Sequence, residues 1–349
     1  MGNINIRALA KELNLSISTV SKALKDSYEI SVETKKRVLA LATELNYSPN
    51  PYASSLRRKK SNTIAVVVPE VADSFFSLAI KGIEEIAQEK GYHVLVYLTY
   101  ENYIKEKKIL EEFKNGRVDG LLISVTSETT DSAHISDADL NNIPIVLFDR
   151  VMEELEMAKI TTNDFESSYA ATRHLLDGGC INIFYLSISK CLGINNKRIE
   201  GFIQALSDRN IKFDDSNIVN CSNDINDNEH LLTALLTQNN KPDGIIAGVE
   251  KLITPVYSIC KQLHIKIPED LKIASFSNSP VAHILNPSLT TITQPAFEMG
   301  KMAATILFKA IEKKGYTIKS ENAVLRSTLF IRESTAPAAT GLCPSFDLF

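Results

Sequence analysis

At 349 residues, 44% hydrophobic and 23% charged, the chain is long enough for more than one folded domain. No run of about 18 apolar residues marks a membrane span, the opening Met-Gly-Asn-Ile-Asn-Ile-Arg has no signal core, and Ile6 stands where a myristoylation pattern needs Ser or Thr; a cytoplasmic chain is expected. The five cysteines, Cys180, Cys191, Cys221, Cys260 and Cys343, form no CxxC pair, so neither a zinc site nor a disulfide framework is signalled and free thiols are expected. The net charge of −4 is unevenly spread. Residues 1–60 carry eleven Lys/Arg against five Asp/Glu, a net of +6, and the remainder carries 27 against 37, a net of −10. A basic N-terminal module on an acidic body is the asymmetry expected when one end meets phosphate.

The first elements are three short helices. Ile6, Leu9, Ala10 and Leu13 form one apolar stripe, Val20, Ala23 and Leu24 a second, and Val38, Leu41, Ala42 and Leu45 a third. Only Asn14-Leu15-Ser16 separates the first two. So tight a turn fits a helix-turn-helix, whose second helix enters the major groove. Ser18, Thr19 and Ser21 open that helix and are short enough to let its backbone approach DNA. The same pattern also fits a plain helical bundle with Ser/Thr caps. Tyr47-Ser48-Pro49-Asn50-Pro51 stops the third helix, because proline disfavours helical geometry in the residue before it. Pro51–Arg57 has length for two helical turns, too few to be stable alone. The basic run Arg57-Arg58-Lys59-Lys60 follows.

From Thr63 the pattern changes. Thr63–Pro69 reads as a strand buried on both faces. A helix follows through Ile80, Ile83, Ile86 and Ala87, then strand 93–97, helix 103–114, strand 120–125 and strand 143–148. Helices at 166–177, 198–209, 229–237 and 252–263 then alternate with strands at 182–188, 217–220, 244–248 and 271–276. Such alternation over roughly 210 residues means parallel α/β structure, here as two sheets. No GxGxxG or GxxxxGK[ST] occurs, so no nucleotide cofactor is signalled. Ligands of such sheets lie beyond the carboxyl ends of the strands. The residues there are Asp73, Phe75 and Phe76, then Asp149 and Arg150, then Glu250, Ser277 and Asn278. The six histidines are scattered without HExxH, and no nucleophile–base pair is visible, so an enzyme is not expected.

In order along nearly the whole chain, the following segments resemble the LacI–GalR family of transcriptional regulators. They are Leu15–Lys22, Ser31–Thr34, Leu45–Asn50, Ala53–Leu56, Val68-Pro69, Phe75-Phe76, Phe148-Asp149-Arg150, Arg198–Phe202, Pro242-Asp243-Gly244, Ile267–Asp270, Thr290–Pro295 and Ile331–Thr335. The resemblance implies a helix-turn-helix domain at 1–48 and a hinge helix and linker at 49–60. It implies a core at 61–335 of two subdomains like those of periplasmic sugar-binding proteins, and a tail at 336–349. The subdomains are expected at about 61–161 plus 292–321 and about 162–291 plus 322–335. The family also implies a homodimer on a near-palindromic operator, most often a repressor, whose operator affinity is controlled by a small polar effector, a sugar or sugar derivative, bound between the core subdomains. It places Ile17, Ser18 and Lys22 at base edges, and Thr19, Ser21, Ser31, Thr34, Tyr47 and Asn50 at phosphates. Ala53 and Leu56 fall in the hinge helix, with Leu56 as a minor-groove wedge. Phe75, Phe76, Asp149, Arg150, Asn163, Arg198, Glu250 and Ser277 are the expected effector contacts. The chain departs from the family pattern at Val249-Glu250, Ser277 and Asn163-Asp164, which leaves the effector open. A transport or sensory protein with the same core is the alternative, separated by whether the chain binds DNA.

Overall fold

The computed structural model describes residues 5–45, 47, 60–113, 117–140, 143–188, 192–222, 224–313, 316, 318 and 321–336. The expected hinge helix with Ala53 and Leu56, as well as Asn50, Cys191, Cys343 and the tail beyond Ala336, lies outside these residues. The chain forms two compact units, Met1–Ser61 and Asn62–Phe349.

The first unit holds helices α1 (Ile6–Glu12), α2 (Ile17–Leu24) and α3 (Val32–Glu44). Each begins with a side-chain cap: Asn5, Ser16 and Ser31 accept from the backbone N–H three residues on. Asn14, with φ of 55°, makes the turn between α1 and α2 in the left-handed region that Asn tolerates. Leu9, Ala10, Val20, Ala23, Val38 and Ala42 form its buried core, drawn from all three stripes.

The second unit is built on two six-stranded sheets. The first lobe contains β1 (Thr63–Val68), β2 (His93–Leu98), β3 (Gly120–Ile123), β4 (Ile145–Phe148), β5 (Ala158–Thr162) and β11 (Ala323–Leu325), in the order β11-β5-β4-β3-β1-β2. The second contains β6 (Ile183–Ser187), β7 (Ile218–Asn220), β8 (Gly244–Ala247), β9 (Lys272–Phe276), β10 (Thr290–Thr293) and β12 (Thr328–Phe330), in the order β12-β10-β9-β8-β6-β7. All pairings are parallel except β10 with β12. The helices are α4 (Ser74–Glu89), α5 (Tyr103–Phe113), α6 (Ala133–Leu140), α7 (Asp164–Asp177), α8 (Gly193–Asp208), α9 (Ile225–Thr237), α10 (Ile253–Gln262) and α11 (Ala296–Glu312). The central strands are buried on both faces, between apolar clusters on either side of each sheet.

The chain crosses between lobes three times, after β5, β10 and β11. This corrects the expected subdomain limits at two places. Thr290–Thr293 pairs with β9 and Thr328–Phe330, so the second crossing falls after residue 293 and not before 292. Ala323–Leu325 pairs in parallel with β5, so 322–325 belongs to the first lobe. Backbone pairing decides this, and three-residue strands carry too few side chains to declare a sheet.

Close helix contacts explain two glycines. A Cβ on Gly300 of α11 would lie 2.0 Å from the Ala79 carbonyl oxygen, and one on Gly82 of α4 would lie 2.1 Å from that of Phe297. In an open helix, Gly→Ala stabilises by about 1 kcal/mol. Here the clash wins, and Gly300→Ala is expected to destabilise the core by about 1–3 kcal/mol. A thermal melt checks it; an unchanged or raised Tm would contradict the packing described.

Candidate functional site

Two surfaces gather the expected functional residues. In the first unit, Ile17 opens α2 with 40% of its surface exposed, and Ser18 and Lys22 are exposed beside it. The Ser16 hydroxyl bonds those of Ser18 and Thr19, both at 2.8 Å, while accepting from the Thr19 N–H at 3.0 Å. The start of α2 is thereby held before any ligand arrives. Lys22 pairs with Glu29. The Ser31 and Thr34 hydroxyls bond each other at 2.9 Å at the start of α3, so capping is their visible role. Tyr47 packs on the three-helix core and donates its N–H to the Ala42 carbonyl at 2.8 Å. Burial raises its phenol above the ordinary value.

In the second unit a chamber lies between the lobes, beyond the carboxyl ends of β1, β4, β8 and β9. The first lobe contributes Asp73, Phe75, Phe76, Asp149 and Arg150 to its walls. The second contributes Asn195 and Arg198 from α8, the turn Gly248–Glu250, and Phe276–Asn278, with Gln294 at the second crossing. The free space is about 50 Å³, room for roughly four water molecules. A larger cavity of about 320 Å³ adjoins it across Asp73, Glu250 and Ser277.

Arg198 organises the second lobe's wall. It is 6% exposed, donates through Nε to Asp164 Oδ1 at 2.8 Å and through Nη1 to the Gly248 carbonyl at 2.8 Å, and its guanidinium lies 3.8 Å from the Phe276 ring centre. Arg150 is matched in the first lobe by Glu101, at 2.7 Å. Burial would raise the Glu101 carboxyl, but Arg150 beside it outweighs this, and its pKa falls below the ordinary value. The Phe75 and Phe76 rings meet edge-on at 5.3 Å, and both are buried.

Glu250 joins the lobes. Its Oε1 accepts from the Ser74 N–H at 3.2 Å and hydroxyl at 2.7 Å, at the start of α4 in the first lobe. Its Oε2 accepts from the Ser277 hydroxyl at 2.9 Å and the Asn278 N–H at 3.1 Å in the second. Asp73 lies near it and caps α4 through the Phe75 N–H at 2.8 Å. Burial, then the Glu250 charge, push its pKa up to about 6. Asp149 follows β4 with φ of 60°, a strained backbone for a non-glycine residue at the chamber wall. Burial pushes its pKa up to about 6 despite Arg150 and Arg198.

Of the expected effector contacts, all line the chamber except Asn163. The Asn163 Oδ1 accepts from the Ser167 hydroxyl at 3.0 Å and the Ser327 N–H at 2.8 Å, which ties α7 to the third crossing. Its neighbour Asp164, which sequence reasoning passed over, is the one that reaches Arg198. Asn195, Phe276 and Gln294 were also missed. Gln294 lies within the Thr290–Pro295 segment that carried the resemblance, a signal that could have found it. Among the described residues no group of three or more His, Cys, Asp or Glu side chains is arranged to hold a metal ion.

The model of periplasmic binding proteins and the sugar-binding domain of the LacI family matches residues 61–333, and that of bacterial regulatory proteins of the lacI family matches residues 5–50. The chain is 30% identical over 330 residues to a ribose operon repressor of Halalkalibacterium halodurans, covering 95% of this chain and 96% of that one. A LacI family transcriptional regulator from Enterococcus faecium with bound ribose superposes with a TM-score of 0.70 at 26% identity, over 79% of this chain and 100% of that one. The lac repressor dimer bound to operator shares the fold, with a TM-score of 0.82 at 19% identity over 96% of this chain and 99% of that one. The chain belongs to the LacI family and is a DNA-binding transcriptional regulator with an effector-binding core.

Proposed function

We propose that the chain is a cytoplasmic homodimeric repressor, acting by binding and not by catalysis, whose affinity for a near-palindromic operator is set by a small polar effector between the lobes. The observation that carries this is the chamber itself. Its walls come from both lobes, so a molecule bound there contacts both and shifts the equilibrium between parted and closed forms. The relatives' printed descriptions support the effector class, a sugar or sugar derivative, and the two-fold assembly. Ile17, Ser18 and Lys22 are the proposed base readers. Lys22 would release Glu29 to do so, exchanging one charged partner for guanine acceptors. Ser21, Thr19, Ser31, Thr34, Tyr47 and Asn50 are the proposed phosphate contacts. Ala53 and Leu56 form the proposed hinge helix, folded by pairing with a partner and the minor groove. Because the hinges follow directly on the DNA-reading units and precede the lobes, lobe closure would alter their spacing in the dimer.

Selection from random duplex DNA by the full-length protein tests this reading. The expected result is enrichment of a two-fold symmetric site, with affinity falling by orders of magnitude from 50 to 200 mM salt, a range set by the several phosphate contacts of a dimer. Selection of no common sequence would overturn it.

A further inference from the structure

The chamber's charges are unbalanced. Among the described residues, five carboxylates, Asp73, Glu101, Asp149, Asp164 and Glu250, surround two guanidinium groups, Arg150 and Arg198. Each guanidinium already has its own carboxylate, Glu101 at 2.7 Å and Asp164 at 2.8 Å. Three carboxylates, Asp73, Asp149 and Glu250, remain at the chamber wall without a cation in hydrogen-bond contact among the described residues.

Hydrogen bonding is unbalanced in the same direction. Glu250 takes up four donors that face the cleft, the N–H and hydroxyl of Ser74, the hydroxyl of Ser277 and the N–H of Asn278. Asp73 receives one donor, the Phe75 N–H. The Asp149 carboxylate receives no hydrogen bond from any described residue. Its nearest cation is Arg150 Nε at 3.9 Å, yet the residue is 94% buried, with 6% of its surface exposed. Among the described residues, what the walls offer an incoming molecule is therefore a surplus of negative charge. A neutral hydroxyl can donate to such a carboxylate, but only a cation also offsets its charge, and buried charge without compensation is costly. An anionic ligand would meet guanidinium groups whose charge Glu101 and Asp164 already offset, and carboxylates that repel it.

Resting on the reading of this chamber as the effector site, we propose that the effector carries an ammonium group as well as hydroxyls, as in an amino sugar or a similar polyhydroxylated amine. Its ammonium sits on Asp149, its hydroxyls donate toward Asp73, and sugar phosphates and sugar acids are rejected. The larger adjoining cavity, with Tyr257, Val281 and Leu285 in its wall, leaves room for a second ring.

Calorimetry and thermal melting of the full-length protein test this with matched probes: D-glucosamine, D-galactosamine and D-mannosamine, each against its neutral parent, and against glucose 6-phosphate. At least one amine should bind about tenfold or more tighter than its parent, the sugar phosphate should not bind, and Asp149→Asn should erase the preference. Asn accepts the same left-handed backbone, so the variant should fold. Without any ligand, Asp149→Asn should also raise Tm by several degrees at pH 7.5, because it removes a buried charge whose desolvation Arg150 and Arg198 only partly offset. That gain should vanish near pH 4. A carboxyl whose pKa is raised on folding contributes stability below its unfolded value, lost as pH rises through about 6. A neutral sugar or a sugar phosphate binding as tightly as every amine overturns the proposal, while leaving the regulator reading intact if it alters operator affinity. Failure of all three amines to bind, an unchanged preference in Asp149→Asn, or no gain in Tm in that variant overturns it as well.

Discussion

A chain beginning at Asn62 is expected to lose specific DNA binding altogether while keeping its melting transition and its effector affinity. The two units are separately compact. The first has its own buried core, from Leu9 to Ala42, and residues 1–60 hold the net charge of +6 that can release counterions from phosphate. The second has four apolar clusters of its own around the two sheets, none drawing on residues 1–61. Its net negative charge gives DNA no favourable approach. Fluorescence anisotropy with the selected operator and calorimetry with the effector read the two functions separately. Retained specific binding by the shortened chain would place the DNA-reading surface elsewhere. Loss of the melting transition would mean that the core leans on the first unit.

Removing the Arg198 side chain should have the second large effect, on stability and binding together. Arg198→Ala leaves the Asp164 carboxylate, itself buried, with the Thr162 hydroxyl at 3.0 Å as its one remaining side-chain partner among the described residues. Breaking a buried ion pair from one side costs about 3–5 kcal/mol. It also removes the donor to the Gly248 carbonyl and the cation stacked on Phe276. Arg198→Leu with Asp164→Leu should be far less destabilised than either single change, because neither charge is then stranded. Both forms should lose effector affinity, since the wall that Arg198 organises is gone. Denaturant melts of the two single variants and the double variant measure the coupling. Simple additivity of their effects would show that the pair is not the organising contact.

How far these features could be read from residues alone differs by element. The helix-turn-helix stripes and the long central strands were legible because their periodicity is strong and local. The expected runs at 63–69 and 244–248 correspond to β1 and β8. Helix 296–312 went unnamed although Met299, Ala303 and Leu307, spaced by four, form a local stripe that packs on the first lobe. Lobe membership of β10, β11 and β12 was not legible, because backbone pairing decides it and such short strands carry too few side chains to show it. Asp149, Arg198 and Ser277 line the chamber, and their place there was legible because each follows or faces a strand end. Asn163 does not line the chamber: it precedes α7 and bonds Ser167 and Ser327, while Asp164 beside it reaches Arg198, and spacing cannot resolve one residue. Glu250 was placed at the site, but its use of donors from both lobes depends on how the lobes meet. The same holds for Lys22 and Glu29, seven residues apart, whose pairing depends on the path between α2 and α3.

The central claim is that one chamber controls one DNA-reading surface. Operator affinity of the full-length protein, measured by anisotropy with and without a saturating effector, tests it most directly. The account predicts a change of about 5- to 150-fold, with the effector's own affinity changed by the same factor when operator is bound, and no response in Arg198→Leu/Asp164→Leu. An operator Kd unchanged by an effector that calorimetry shows to be bound in the chamber would contradict it.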